Sequence, residues 1–192
     1  MRLFLFNHGV AFSLDDISTR TQVKKPEARK ELALLSKIGM IKKKDLIVVT
    51  EKKPRSKKSK PKVTKKKVSG FVINSRFELI RPLEALLLEY EFINDKEIVK
   101  RLKKSGSIKL LVLSGIFVRD DNRDLDMLVV GDKIKRPVLE KELRLIESEI
   151  GKELRYAIFD TKEFQYRISM YDKLVRDILE HEHRKLISTL ID

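Results

Sequence analysis

Residues 24–41, KKPEARKELALLSKIGMI, decide how the first part of the chain folds. Pro26 suits the first turn of a helix, where its missing N–H has no partner to lose. Ala28, Leu32, Leu35 and Ile38 follow at helical spacing. Gly39 stands where a helix ends in a left-handed residue. The pattern predicts a helix over Pro26–Ile38. Upstream, Ser13-Leu14-Asp15-Asp16-Ile17 has the form of a capping box, with Asp in place of the preferred Glu. A short helix to about Arg20 follows from it. Residues 1–7 leave under two turns for a first helix. Downstream, Ile41–Lys44 and Leu46–Thr50 are expected as short strands that pair.

Helix, turn, a helix ending in Leu35-Ser36-Lys37-Ile38-Gly39-Met40-Ile41, then strands: this order resembles a winged helix-turn-helix over roughly residues 1–75. The resemblance implies that the second helix of the motif enters the major groove of duplex DNA by its N-terminal part. That places Lys24, Lys25, Arg29 and Lys30 against DNA. The plainer reading of the same four is the polar face of an amphipathic helix. Lys37, at the far end, reads as solvated.

The run at 52–67, KKPRSKKSKPKVTKKK, holds ten of the chain's 43 basic side chains and none of its 29 acidic ones. It carries +10 of the formal +14, so the rest of the chain is nearly balanced. Two placements stay open for it. It is either an interdomain linker or a wing tip between Leu46–Thr50 and a returning strand over Val68–Asn74. The alternation in Val68-Ser69-Gly70-Phe71-Val72-Ile73 favours the wing. Its DNA-binding candidates are Lys52, Lys53, Arg55, Lys57, Lys58, Lys60, Lys62, Lys65, Lys66 and Lys67. Lysine outnumbers arginine nine to one, which suits point-charge contact with phosphates rather than bidentate reading of bases. No aromatic residue interrupts the run, so stacking on single-stranded bases has no support there.

The second part alternates differently. Phe77–Tyr90 and a segment capped by Asn94 or Asp95 read as helices. Ile108–Val118 and Leu125–Val130 read as buried strands joined by the polar turn Arg119–Arg123. Val138–Ile150 is amphipathic and closes at Gly151. Leu154–Phe159 is a third strand, and Thr161 caps a last helix running towards Ile187. Within this frame stand Leu113-Ser114-Gly115-Ile116-Phe117 and Asp124-Leu125-Asp126-Met127-Leu128-Val129-Val130. Two carboxylates at i and i+2 on a strand share a face, and together they attract a divalent cation.

This arrangement resembles the minimal nucleotidyltransferase domain of the polymerase-beta type, over about Ile108–Phe159. The resemblance implies that Ser114 and Gly115 face nucleotide phosphates and that Asp124 and Asp126 bind Mg²⁺. The chain departs from that pattern in three places, one being a spacing to Asp124 at the short end of the family's. Ser114 stands where the family has its first glycine. Arg155, Tyr156 and Ala157 fill the middle of the strand that carries the family's third carboxylate, with Glu153 and Asp160 only flanking it. Two-metal phosphoryl transfer needs ligands that clamp both ions, so the expectation is a domain that keeps the shape without the chemistry.

Other signals exclude functions. The chain has no cysteine, hence no disulfide framework and no thiolate zinc site. Asp120-x-Asn122-x-Asp124-x-Asp126 starts like an EF-hand loop, but Leu125 occupies the sixth position and Gly131 the twelfth. Arg176 and His181 have the spacing of helical ribonucleases without an evident four-helix bundle. No apolar run approaches the length of a membrane span, and Asn7 and His8 stop the opening Met-Arg-Leu-Phe-Leu-Phe after four apolar residues, with Asp15 and Asp16 following.

The fold class expected is α+β: a winged helix over 1–75, then a nucleotidyltransferase-like α/β domain with a short mixed sheet over 76–192. The functional expectation is a cytoplasmic DNA-binding transcriptional regulator whose second domain senses a ligand or mediates assembly. Duplex DNA is its partner, a homodimer is compatible, and no membrane or required cofactor is implied. Two alternatives remain open. One is a nucleotidyltransferase using Mg²⁺ and a nucleoside triphosphate on a protein or nucleic acid. The other is a non-specific RNA- or polyanion-binding adaptor.

Overall fold

The computed structural model describes residues 1–52, 62–89, 93–120 and 122–191, so Lys53, Arg55, Lys57, Lys58 and Lys60 lie outside the described residues. The chain is mixed α+β and divides into two compact units, Met1–Leu86 and Leu87–Asp192. The division falls later than the expected 75/76 boundary. Ile80 is buried, and His8 pairs with Glu84, which ties that segment to the first unit.

The first unit holds α1 (Arg2–Leu5), β1 (Phe12–Ser13), α2 (Leu14–Thr21), α3 (Lys25–Lys37), β2 (Ile41–Lys52), β3 (Lys62–Ile73) and the start of α4 (Ile80–Glu89). Ser13 caps α2 as expected. Its hydroxyl accepts from the Asp16 N–H at 3.1 Å, and the Asp16 carboxylate accepts from the Ser13 N–H at 2.9 Å. Gln22, in the left-handed region, ends α2. Helix α3 ends in a Schellman motif: Gly39 (φ +78) donates to the Ser36 carbonyl and Met40 to that of Leu35. The core gathers Leu3, Phe4, Leu5, Phe12, Ile17, Ala28, Leu32, Met40, Ile41 and Ile73. The two segments expected as separate strands over Ile41–Thr50 form one strand instead. All of β2 pairs antiparallel with β3, from Ile41↔Ile73 to Lys52↔Lys62. The sheet order is β1-β3-β2.

The second unit holds α5 (Asp95–Leu102), β4 (Ser107–Leu113), β5 (Met127–Asp132), α6 (Arg136–Ile150), β6 (Tyr156–Phe159), α7 (Thr161–Ser169), α8 (Lys173–Glu180) and β7 (Arg184–Ser188). Its mixed sheet has the order β6-β5-β4-β7, parallel between β5 and β6 and antiparallel elsewhere. Alternate residues of β4 and β5 enter two cores. Leu111, Leu113, Met127 and Val129 pack with α5 and α6 residues such as Ile98, Leu102, Leu139, Leu143 and Ile146. Leu110, Val112, Leu128 and Val130 pack with Phe164, Val175 and Ile178 of α7 and α8. Helices therefore cover both faces of the sheet, and its central strands are apolar and buried over residues 110–113 and 127–130.

Three boundaries differ from the sequence reading. Beyond Leu113 the chain turns into a 3-10 helix over Gly115–Val118 instead of continuing as a strand. Strand β5 begins at Met127, two residues later than expected. The single last helix is broken. Tyr171 takes φ +54, Asp172 caps α8 through the Leu174 and Val175 N–H groups, and Arg184–Ser188 forms an edge strand beside β4.

Gly131 shows how closely β4 and β5 approach. A Cβ there would stand 2.2 Å from the Ser107 carbonyl oxygen, a backbone atom that cannot swing aside. Gly131→Ala is expected to destabilise the second unit by about 1–3 kcal/mol, as overpacking does. Urea unfolding followed by circular dichroism measures it.

Candidate nucleic-acid interface and a carboxylate–guanidinium site

Burial of Ala28 and Leu32 fixes which side of α3 meets the core. Lys24, Lys25, Arg29 and Lys30 are all exposed. Extended backbone at Lys24 starts the helix without a side-chain cap, and Pro26 lies in its first turn. Lys25 Nζ lies 2.7 Å from Asp15 Oδ1, linking α3 to α2. That hydrogen bond and the charge behind it lower the Asp15 pKa. The pair is exposed, so it orients the helices without adding much stability. The four candidates thus share one helix end.

The basic run begins on the last residue of β2 and continues on β3, and those strands pair with each other. The described part of the run, Lys52 and residues 62–67, therefore lies on paired strands of the first unit. Twelve paired residues span about 40 Å. Lys65, Lys66 and Lys67 are exposed, and Lys67 Nζ pairs with Asp45 at 2.7 Å. Lys52 and Lys62 close the paired stretch. The sequence reading passed over Lys42, Lys43 and Lys44, also exposed on β2. Three successive cations at the start of a strand were the available signal.

The second unit brings the ends of β4, β5 and β6 together around one carboxylate. Asp126 is 1% exposed. Its Oδ1 accepts from the Ile116 N–H at 3.0 Å and from Arg155 Nη2 at 2.8 Å. Its Oδ2 accepts from the Arg155 N–H at 2.8 Å and from Arg155 Nε at 3.0 Å. Burial alone would raise the Asp126 pKa, but the bonds from the Arg155 side chain and the two backbone N–H groups outweigh it and hold the carboxyl below its ordinary value. The backbone repeats the link: Asp126 donates to the Arg155 carbonyl at 2.7 Å and accepts from the Ser114 N–H at 2.9 Å. Gly115 has φ +54, and a Cβ on it would lie 2.1 Å from Asp126 Oδ1. Glycine is needed there on both counts.

The remaining candidates do not join this centre. Ser114 is fully buried and its hydroxyl donates to the Glu182 carbonyl at 3.3 Å. Asp124 is exposed, with its N–H 3.4 Å from Asp177 Oδ2. The two aspartates expected side by side on one strand both precede β5. The turn through Arg123–Leu125 leaves one in solvent and the other in the core. Around them Arg123 bridges Asp120 at 2.5 Å and Asp177 at 3.4 Å, and His181 lies 3.4 Å from Asp177. Among the described residues no group of three or more His, Asp or Glu side chains converges to hold a metal. Mg²⁺ with a nucleotide does not fit this site, because every strong acceptor direction of Asp126 is taken by a donor. Sequence reading noted Arg155 as a missing carboxylate but not as the partner of Asp126. The opposite charges at adjacent strand starts were the clue.

Among the described residues no helix is long and apolar enough to cross a membrane. Comparison of the chain with family models, with curated proteins and with solved structures returns no match to any of them.

Proposed function

We propose that this protein binds duplex DNA as a cytoplasmic transcriptional regulator. In this reading the first unit is a winged helix-turn-helix and the second a nucleotidyltransferase-like domain without catalysis, serving ligand sensing or assembly, including homodimerisation. One observation carries the reading: the β1-β3-β2 sheet sets a long basic hairpin in the same unit as the α2–α3 pair, whose second helix exposes Lys24, Lys25, Arg29 and Lys30 at its start. A helix end of this kind fits the major groove, and a basic hairpin fits the phosphate backbone. The Asp126–Arg155 pair supports the non-catalytic reading of the second unit, since a guanidinium stands where a metal would have to bind.

Base reading falls to Arg29 and Lys30. Selection of duplexes from a random pool by the intact chain is expected to enrich one motif. Arg29→Ala with Lys30→Ala is expected to remove that preference, at about 1–3 kcal/mol for each lost base contact. A pool with no enriched motif, or RNA bound as well as duplex, contradicts the regulator and favours a polyanion adaptor.

A further inference from the structure

Two basic turns meet at one corner of the second unit. The first follows α5: Lys103, Lys104 and Ser105 form a 3-10 turn, and Gly106 leads into β4. The second follows β5: Lys133 has φ +56, and Lys135 precedes Arg136 and Pro137 at the start of α6. The Lys135 N–H donates to the Ser105 carbonyl at 2.7 Å. A Cβ on Gly106 would stand 2.8 Å from the Lys133 carbonyl oxygen, so the turns touch backbone to backbone. Lys103, Lys104, Lys133, Lys135 and Arg136 are all exposed on them. Lys104 is paired with Glu142 at 3.1 Å. No described carboxylate pairs with Lys103, Lys133, Lys135 or Arg136.

This gathering works against the fold that holds it. Like charges on touching turns repel. The start of a helix also carries partial positive charge and favours Asp or Glu, yet α6 has no acidic residue in its first turn and no side-chain cap. An anion lying across both turns would relieve both conflicts. No large apolar side chain is exposed at the corner, as insertion into a lipid surface would need. Three of the four unpaired cations are lysines, which suits point contact with phosphates.

We propose that this corner of the second unit is a separate contact surface for the phosphate backbone of duplex nucleic acid. The inference rests on the duplex-DNA reading of the protein and extends it to a second unit. Joining two weak phosphate contacts in one chain raises the affinity of the whole beyond either alone. The added contact carries no sequence information.

The test replaces Lys103, Lys133, Lys135 and Arg136 by Gln in the full chain and measures binding to a short labelled duplex across a salt series. The slope of log affinity against log salt is expected to become shallower by about 3.6, near 0.9 for each of the four lost phosphate contacts. Affinity is expected to fall at least about tenfold near physiological salt. The thermal midpoint is expected to hold or rise, because the repulsion is gone; a purely structural role would lower it. An unchanged slope overturns the proposal. A companion variant, Lys65→Gln with Lys66→Gln and Lys67→Gln, separates the failures. If only the companion loses affinity, the first unit binds DNA and the corner does not. If the intact chain binds no duplex, both readings fall. If the corner variant loses only its binding to vesicles of anionic phospholipid, the surface belongs to lipid and the proposal is overturned.

Discussion

Asp126→Ala is expected to cost the second unit about 2–4 kcal/mol, chiefly the cost of leaving backbone donors without an acceptor, since the Arg155 guanidinium it also abandons is 42% exposed and screened by water. The substitution strips acceptors from the Ile116 and Arg155 N–H groups and leaves the Arg155 guanidinium without its main partner. A domain has about 5–15 kcal/mol to lose, so this is a large share of the total. Arg155→Met is expected to cost less, about 1.5–3 kcal/mol, because Asp126 keeps its two backbone donors. The double variant is expected to be less unstable than the two single costs combined, which a double-mutant cycle in urea measures. The pH dependence has a definite sign. The folded Asp126 pKa lies below its unfolded value, so its stabilisation is complete above about pH 4. It is lost as pH falls through the lower folded value. Asp126→Ala removes this part of the acid sensitivity. A metal-binding site predicts the opposite behaviour: Mg²⁺ with a nucleoside triphosphate would raise the thermal midpoint of the intact protein, and the Asp126–Arg155 pair predicts no rise.

Neutralising all ten cations of residues 52–67 to Gln is expected to weaken duplex binding at least about a hundredfold at physiological salt. If about six phosphates are contacted, the salt slope becomes shallower by about 5. Glutamine keeps a polar, uncharged side chain and leaves the backbone pairing between Lys52 and Lys62 in place, so the change tests charge rather than folding. Any preference among duplex sequences is expected to survive, because lysines on a hairpin contact phosphates while Arg29 and Lys30 face the bases in this account. Loss of preference together with affinity would move the reading function to the hairpin.

Local signals were legible in the sequence wherever one residue type has one physical use. Gly39 ended α3 in the left-handed region, Ser13 and Asp16 formed the capping box, and Asn94 capped α5. The alternating Val68–Ile73 stretch lies in β3. One miss was local and the others came from contacts distant in sequence. Tyr171 takes a left-handed backbone at the break between α7 and α8, beside the turn that Arg167 and Asp172 close at 2.9 Å, and a tyrosine does not announce that conformation. Arg184–Ser188 looked helical by continuation, but it pairs with β4, more than seventy residues earlier. The candidate site was half legible for the same reason. Its Asp-apolar-Asp spacing was visible, whereas the Arg155 guanidinium that fills one end of it comes from a strand 29 residues away. The corner at Ser105 and Lys135 was invisible until the two turns were brought together.

The central claim is that the first unit binds duplex DNA through a helix end and a basic hairpin. Its most direct test is the fluorescence anisotropy of a short labelled duplex titrated with the intact chain over a range of salt concentrations, beside a single strand of equal length. The account predicts duplex binding with a log–log slope steeper than about −5, and weaker binding of the single strand. Absence of duplex binding, or a slope near zero, would contradict it.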